Sequence, residues 1–305
     1  MNTKTPREGE PEPVTTEGST TKSAIIRHPL GSYLLLAFVL AWLFWVPLAW
    51  LLRDGAAAPG SGLAIALQTL GVTGPLIAAI VVTGLTRGKT GVRRLLGGLR
   101  RWRVGPLWYA AACLVVPVLT VIGVAVRAAL GVGVGVPEGS ALATRLADIG
   151  WIGVVITFPL VLLWQCFGSP LLEEPGWRGL ALPHMQRRLP AAWAALLVGA
   201  IWALWHLPIY LALGENLALS LALITMHGFF LGWLYINTRS LLIAVLGHAS
   251  LNVANNSLSL SDQGVVQVVL TLLLCLTVLA FFRGSDLRPR LGPRLREEDR
   301  NLYRP

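Results

Sequence analysis

The feature of this sequence that most constrains its fold is a series of long apolar runs. The first extends from Leu30 to Leu52 and contains 23 residues without a charged side chain. An α-helix needs about 20 apolar residues to cross a bilayer, whereas the apolar core of a cleavable signal peptide has only about 7–15. We therefore expect this run to be a retained transmembrane helix.

Seven further runs of comparable length follow along the chain. They lie near residues 60–86, 104–126, 149–172, 189–213, 217–238, 240–261 and 263–282. Charged residues make up 13% of the chain, about half of their share in ordinary soluble domains. These features predict an all-α polytopic membrane protein with about eight transmembrane helices.

The basic residues give this predicted bundle an orientation. The chain carries a net charge of +10, and the cytosolic segments of membrane proteins are enriched in Lys and Arg. With the N-terminus in the cytosol, 22 of the 25 Lys and Arg residues fall in inner segments, and only Arg53, Arg127 and Arg145 fall outside. Both termini are thus predicted to be cytosolic. The basic surplus favours contact with anionic membrane lipid rather than with nucleic acid.

The runs divide the chain into five regions. We expect a disordered tail at 1–29, three transmembrane helices at 30–148, a polar-motif core at 149–262, a last transmembrane helix at 263–282 and a basic cytosolic tail at 283–305. The N-terminal tail is rich in Thr, Glu and Pro and poor in apolar residues, a composition typical of disorder. The chemistry is therefore expected in the core.

A small group of polar residues interrupts the predicted core. An ionisable side chain at membrane depth costs about 3 kcal/mol or more, so it indicates function or a paired interior position. The candidate catalytic residues selected on this basis are Glu173, Glu174, Arg178, His206, His248 and Asn252.

The spacing of these residues suggests how they cooperate. Glu174 and Arg178 are four residues apart on one helical face and can form an ion pair. Glu173 lies on a different part of the helix surface and is left free to carry a proton. His248 and Asn252 are also four residues apart, so both can point at one ligand.

Two predicted hairpins bring the polar residues to similar depths. Residues that face each other across an antiparallel helix pair lie equally far from the turn. Glu173 and His206 satisfy this condition for a cytosolic turn at 187–190. The fourth helix must then continue past Glu173, with a kink at Pro170 or Pro175.

The second hairpin would place His227 opposite His248 across a turn at 237–239. We interpret His227 as a residue that makes a hydrogen bond between helices rather than as a catalyst. Its neighbours Gly228 and Gly232 form a GxxxG pattern, which permits close packing of two helices.

The order and spacing of these motifs resemble the CAAX prenyl protease 2/lysostaphin-resistance-protein-A-like intramembrane proteases, the CPBP family. The EExxxR motif of that family corresponds to 173–178, its motif of an aromatic residue four before a histidine to Trp202 and His206, and its HxxxN motif to 248–252. The resemblance covers about residues 155–255. Trp202 replaces a phenylalanine that is frequent in the family, a departure expected to affect packing rather than chemistry.

The resemblance implies a role for each candidate residue. Glu173 and His206 would activate the water that attacks a peptide carbonyl. His248 and Asn252 would stabilise the oxyanion, and the Glu174–Arg178 pair would shape the site.

The sequence leaves the cofactor open. Proteins of the family have been described both as metalloproteases and as glutamic proteases, and zinc is the metal to consider. The HExxH motif is absent, so Glu173, His206 and His248 could bind zinc only as single ligands from three helices. We favour a metal-independent, glutamate-activated water.

These observations predict an endopeptidase that cleaves a membrane-associated peptide or protein near the cytosolic leaflet. The chain contains 22 Arg and 3 Lys, which is typical of a GC-rich bacterial genome and predicts a multi-pass protein of the bacterial plasma membrane. This origin favours a substrate other than a prenylated protein, for example a bacteriocin-related peptide.

Two alternatives use the same polar cluster. One is a transporter or a non-catalytic binding protein, because buried Glu and His residues also serve ion sites and proton relays. The other is a scaffold or immunity protein that retains a relic site. The sequence carries no signal for the oligomeric state.

Overall fold

The computed structural model describes residues 23–131, 141–214, 216–257, 264–281 and 286, and the regular structure of these residues is helical. A 3-10 turn at Gly98–Arg100 follows α3, and a π-helical segment at Trp177–Ala181 follows α6. The numbered helices are α1 Pro29–Arg53, α2 Gly62–Val72, α3 Gly74–Gly97, α4 Pro106–Ala129, α5 Ala141–Cys166, α6 Ser169–Gly176, α7 Leu182–Met185, α8 Ala191–Trp205, α9 Leu207–Leu213, α10 Leu217–Thr238, α11 Leu241–Ser257 and α12 Gly264–Phe281.

The predicted all-α membrane fold is confirmed. Among the described residues, four helical stretches are long and apolar enough to cross a bilayer, and the number rises to six if two bent helix pairs each count as one span. Helices α11 and α12 coincide with the last two predicted spans, whose ends run into residues outside the described ranges. The count of eight and the cytosolic position of both termini stay predictions.

The structure describes little of the two predicted tails. Residues 23–27 are helical, which corrects the expectation that the whole of 1–29 is disordered. Residues 1–22, and all of 283–305 except Asp286, lie outside the described residues.

The first broken helix carries the acidic residues. Helices α5 and α6 meet at an angle of 52°, and the chain then remains helical through Met185, as the hairpin prediction requires. The break at 167–168 directly precedes Ser169 and Pro170. Proline cannot donate a backbone hydrogen bond, and it disfavours a helical conformation in the residue before it. One of the two predicted kink positions is therefore correct.

The second broken helix carries His206. Helices α8 and α9 meet at 51°, and Pro208 follows the break. A break inside a membrane helix leaves backbone groups that need other partners. The indole Nε1 of Trp42 in α1 donates a hydrogen bond of 2.9 Å to the carbonyl oxygen of Trp205, at the end of α8. This contact fixes the position of the break against α1.

Helices α8 and α10 pack closely, with backbone atoms in direct contact. A Cβ atom at Gly228 would collide with the Cα of Gly199, and one at Gly232 would lie 2.8 Å from the Cβ of Ala195. Both glycines of the GxxxG pattern therefore face α8, and their predicted role in close packing is confirmed.

The turn between α10 and α11 comes later than predicted. The sequence suggested a turn at 237–239, but α10 continues to Thr238 and α11 begins at Leu241. Arg239 ends α10 in the left-handed conformation, with φ 54° and ψ 20°. This conformation costs a residue with a Cβ roughly 1–2 kcal/mol. The sequence therefore did not indicate that the helix would end at an arginine.

This later turn changes the register of the hairpin. A Cβ at Gly247 would lie 2.8 Å from the side chain of Leu234 and 3.0 Å from that of Leu231. His248 is therefore level with this part of α10, and His227 lies about one helical turn further from the turn. The predicted matched depth of His227 and His248 is wrong.

Alanine substitutions at two glycines should change stability in opposite directions. Gly228→Ala should lower the stability of the protein in detergent by about 1–3 kcal/mol, because the added methyl group overpacks the contact with Gly199. Gly31→Ala on α1 is the control, since its Cβ meets nothing within 4 Å and alanine favours a helix over glycine. Thermal unfolding of the two variants measures the effect. Equal unfolding temperatures would contradict the packing described for α8 and α10.

Candidate active site

The centre of the site is one oxygen atom of a buried carboxylate. Oε1 of Glu174 accepts hydrogen bonds from Nη1 of Arg178 at 2.9 Å and from Nδ1 of His248 at 2.8 Å. The predicted Glu174–Arg178 ion pair is therefore present, and both of its side chains are fully buried. A carboxylate oxygen only accepts, so Nδ1 of His248 carries the hydrogen and Nε2 is directed away from Glu174.

Arg178 is held on two further sides. Its Nη2 donates to the carbonyl oxygen of Gly228 at 3.2 Å, and its guanidinium carbon lies 4.8 Å from the ring centroid of Trp202. A buried charge is tolerated only when it is paired and hydrogen-bonded, and cation–π contact adds to the pairing. The position of Arg178 thus depends on α8 and α10 as well as on its own helix.

Glu173 lies outside this ion pair but has a partner of its own. Its Oε2 accepts a hydrogen bond of 2.6 Å from Nε1 of Trp202, and the Glu173 side chain is 2% exposed. Trp202 was expected to affect packing, and the structure adds a direct contact with a candidate catalytic residue. The phenylalanine frequent at this position in the family has no donor for such a bond.

His206 lies at the end of α8, where the helix breaks. Its Nδ1 donates to the carbonyl oxygen of Trp202 at 2.9 Å, which leaves Nε2 as the acceptor nitrogen of a neutral ring. The imidazole stacks on Tyr210 with a centroid distance of 5.6 Å and is partly exposed. This orientation suits a base or a water-binding group.

Trp202 is the residue around which the others assemble. The ring centroids of His206 and His248 lie 5.3 Å and 5.1 Å from the indole, both in edge-on geometry. The indole N–H donates a hydrogen bond to Glu173, and the guanidinium of Arg178 lies over the face of the ring. The structure thus brings together, around one side chain, groups that the sequence placed on separate helices.

Asn252 joins the site through a residue that the sequence analysis missed. Its Nδ2 donates to Oγ of Ser169 at 2.9 Å. Ser169 lies four residues before Glu173 on α6, so the two side chains share one face of that helix. This spacing was the signal that could have identified Ser169.

A tyrosine from the N-terminal helices also reaches this region. Tyr33 in α1 is completely buried, and its hydroxyl has no hydrogen-bond partner among the described residues. A Cβ at Gly176 would lie 2.5 Å from this hydroxyl, which places Tyr33 against the end of α6. The surrounding apolar run gave no sequence signal for it.

His227 does not have the role that the sequence suggested. Both of its ring nitrogens are buried, and neither has a hydrogen-bond partner in the part of the chain that the structure describes. The predicted hydrogen bond between helices is therefore not made by the described residues.

The zinc site considered from the sequence would need Glu173, His206 and His248 to lie close together around one ion. Within the described ranges, no three side chains of His, Cys, Asp or Glu are grouped as a metal ion would require. Oε1 of Glu174 is occupied by a guanidinium and an imidazole. Nδ1 of each site histidine donates to an oxygen atom, an arrangement that zinc-binding histidines also use. The preference for a metal-independent reaction therefore stays a prediction.

A comparison with protein families supports the motif assignment. Residues 154–254, about a third of the chain, match the family described as type II CAAX prenyl endopeptidase Rce1-like, and this segment contains all six candidate residues. The match supports the resemblance to the CPBP family that the motifs indicate. It begins within α5 and ends within α11, so it includes both helix breaks.

A curated protein shares the same region. CAAX prenyl protease 2 of Methanococcus maripaludis is 24% identical over 123 residues, which cover 36% of this chain. The aligned part is 45% of the length of that relative. The similarity thus concerns the motif-bearing core of this chain and less than half of the relative.

The two adjacent glutamates should differ in their effect on stability. Glu174→Gln leaves Arg178 buried without its counter-charge, which should cost about 3 kcal/mol or more. Glu173→Gln keeps the ion pair and should cost much less. Unfolding of both variants in the same detergent gives the comparison, and equal losses would show that the Glu174–Arg178 pair does not support the fold.

Proposed function

We propose that this chain is an intramembrane endopeptidase of the CPBP family that hydrolyses a peptide bond with a water activated by Glu173 and His206. The observation that carries the proposal is the arrangement around Trp202. This residue binds the carboxylate of Glu173 through its N–H and orients His206 through its carbonyl oxygen. The neighbouring Glu174 is already neutralised by Arg178, so Glu173 is the carboxylate left to take a proton.

The first step adds water to the peptide carbonyl. Glu173 removes a proton from a water molecule that Nε2 of His206 holds as an acceptor. The water oxygen bonds to the carbonyl carbon, and the electron pair of the carbonyl moves to its oxygen. The product is a tetrahedral intermediate with a negatively charged oxygen, and Glu173 is now protonated.

Two donors are placed to stabilise that oxygen. Asn252 has a second amide hydrogen beyond the one that binds Ser169. His248 is fixed at Nδ1 by Glu174, so its Nε2 can donate from an imidazolium ring. Donors held in advance stabilise developing charge without reorganisation.

The second step releases the products. The tetrahedral intermediate collapses, the carbon–nitrogen bond breaks, and Glu173 returns its proton to the leaving nitrogen. One water and one peptide bond give a carboxylic acid and an amine. No oxidant or reductant is needed for this balance, and Glu173 alone carries the proton from the water to the leaving nitrogen.

The substrate class follows from the position of the site. The broken helices α5–α6 and α8–α9 carry the reacting groups inside an apolar bundle, which supports a peptide or protein substrate associated with the membrane. We place the chain in a bacterial plasma membrane because of its arginine-rich composition. The proposal does not assign prenylation to the substrate.

Replacing the proton carrier should abolish cleavage. Glu173→Gln removes the general base, whose contribution is typically about 10²–10⁴ in rate. The new N-terminal peptides produced by cleavage are identified in membranes that contain the wild type or the variant. They should be found only with the wild type. Asp54→Asn, an acidic residue at the far end of α1, is the matched control and should behave as the wild type.

Three outcomes separate the proposal from its alternatives. Undiminished cleavage by Glu173→Gln would reject the proposed base. Loss of wild-type cleavage on zinc chelation, restored by zinc, would reject the metal-independent mechanism but keep the peptidase. Solute accumulation in vesicles that contain the purified chain, without any peptide cleavage, would favour a transporter.

The hydrogen bond between Trp202 and Glu173 should contribute to the rate. Trp202→Phe keeps an aromatic ring but removes the donor, and a hydrogen bond to a charged group contributes about 1.5–3 kcal/mol. We expect kcat for the substrate found above to fall roughly 10- to 100-fold. Trp193→Phe is the control because Trp193 lies on the same helix and is 61% exposed. An unchanged kcat in Trp202→Phe would mean that the indole N–H does not position Glu173.

A further inference from the structure

A basic cavity lies at one end of the bundle, apart from the candidate active site. Its volume is about 130 Å³, and it forms where the end of α3, the π-helical segment with α7, and the end of α10 meet. All three parts belong to segments that the charge distribution predicts to be cytosolic. The titratable residues lining the cavity are Arg87, Arg94, Arg101, His184, Tyr235 and Arg239.

The charge of the described lining is of one sign. Four arginines line the cavity, and none of the described lining residues is Asp or Glu. A concave surface lined by like charges raises the local concentration of counter-ions. The arrangement therefore favours an anionic ligand with several acceptor oxygens, since the planar guanidinium binds such groups through paired hydrogen bonds.

The backbone at Arg239 gives an independent indication that its side chain is used. Among the described residues, it is the non-glycine residue with positive φ. Glycine is the usual residue at a left-handed helix end, because it has no Cβ to strain the backbone. A strained residue at such a position indicates function when it belongs to a site, and Arg239 is one of the residues that line the cavity.

The walls of the cavity are fixed by the fold. The hydroxyl of Ser240 donates a hydrogen bond of 2.6 Å to the carbonyl oxygen of Arg101, which ties the loop after α3 to the turn after α10. Gly179 belongs to the lining and directly follows Arg178. The cavity thus shares the π-helical segment with the active site but contains none of the six candidate residues.

We propose that this cavity binds a phosphate group, supplied by the headgroup of an anionic phospholipid in the inner leaflet. Basic pockets between helices on the cytoplasmic side of a membrane suit such headgroups. Pro29, at the start of α1, also lines the cavity, which places it at the predicted boundary between the bilayer and the cytosol. The proposal does not depend on peptidase activity.

The test compares neighbouring arginines that differ only in whether they face the cavity. Arg94→Gln with Arg101→Gln removes two lining charges, and Arg93→Gln with Arg100→Gln removes two exposed charges next to them that are absent from the lining. The full chain is purified in a neutral detergent. Its unfolding temperature is measured in mixed micelles of this detergent and phosphatidylcholine while phosphatidylglycerol is added. The wild type and the control pair should be stabilised alike. The lining pair should need at least about tenfold more phosphatidylglycerol for the same shift, as expected for linkage between binding and stability.

A single variant separates binding from folding. Arg239→Gly places the preferred residue at the left-handed helix end, so without lipid it should unfold at the same or a higher temperature than the wild type. Its response to phosphatidylglycerol should nevertheless be weaker. A destabilised Arg239→Gly protein with an unchanged lipid response would overturn the proposal, because the arginine would then have a structural role.

Inorganic phosphate at constant ionic strength identifies the source of the phosphate group. Stabilisation by phosphatidylglycerol alone supports the lipid headgroup. Stabilisation by both probes, lost in the lining pair, supports a phosphate site that also accepts the free ion. Equal responses of the lining and control pairs, or no response of the wild type to either probe, would overturn the proposal.

Discussion

The arrangement of the site depends on the burial of a single carboxylate. Oε1 of Glu174 accepts hydrogen bonds from a guanidinium and from an imidazole. Each of these two groups comes from a different helical segment. A buried charge without such partners would cost several kcal/mol. Helix α6, the π-helical segment and α11 must therefore pack in one register, and Arg178 extends this requirement to α10 through the carbonyl oxygen of Gly228.

Trp202 connects the candidate catalytic residues Glu173 and His206 to this charged framework. Its N–H, carbonyl oxygen, ring face and ring edge each have a separate partner. An indole is large and rigid, so one side chain can set distances among several groups at a small cost in conformational entropy. The two helix breaks provide the space for this, because they let Glu173 and His206 leave the direction of the preceding helix.

The fold class and the grouping of the six polar residues could be predicted from the sequence. Helix geometry alone encodes the pairing of Glu174 with Arg178 and the face of α10 that meets α8. The contact of His248 with Glu174 could not be predicted, because it depends on how each helix is rotated about its axis. The turn at Arg239 was missed because its left-handed backbone contradicts the local preference of arginine.

The contact between Gly199 and Gly228 has a consequence for relatives of this chain. The carbonyl oxygen that holds Arg178 belongs to Gly228, and it reaches the guanidinium because no side chain separates α8 from α10. A homologue could retain every polar residue of the motifs and still lose this geometry through one added methyl group. Motif searches that ignore these two small residues would then count such a protein as an active enzyme.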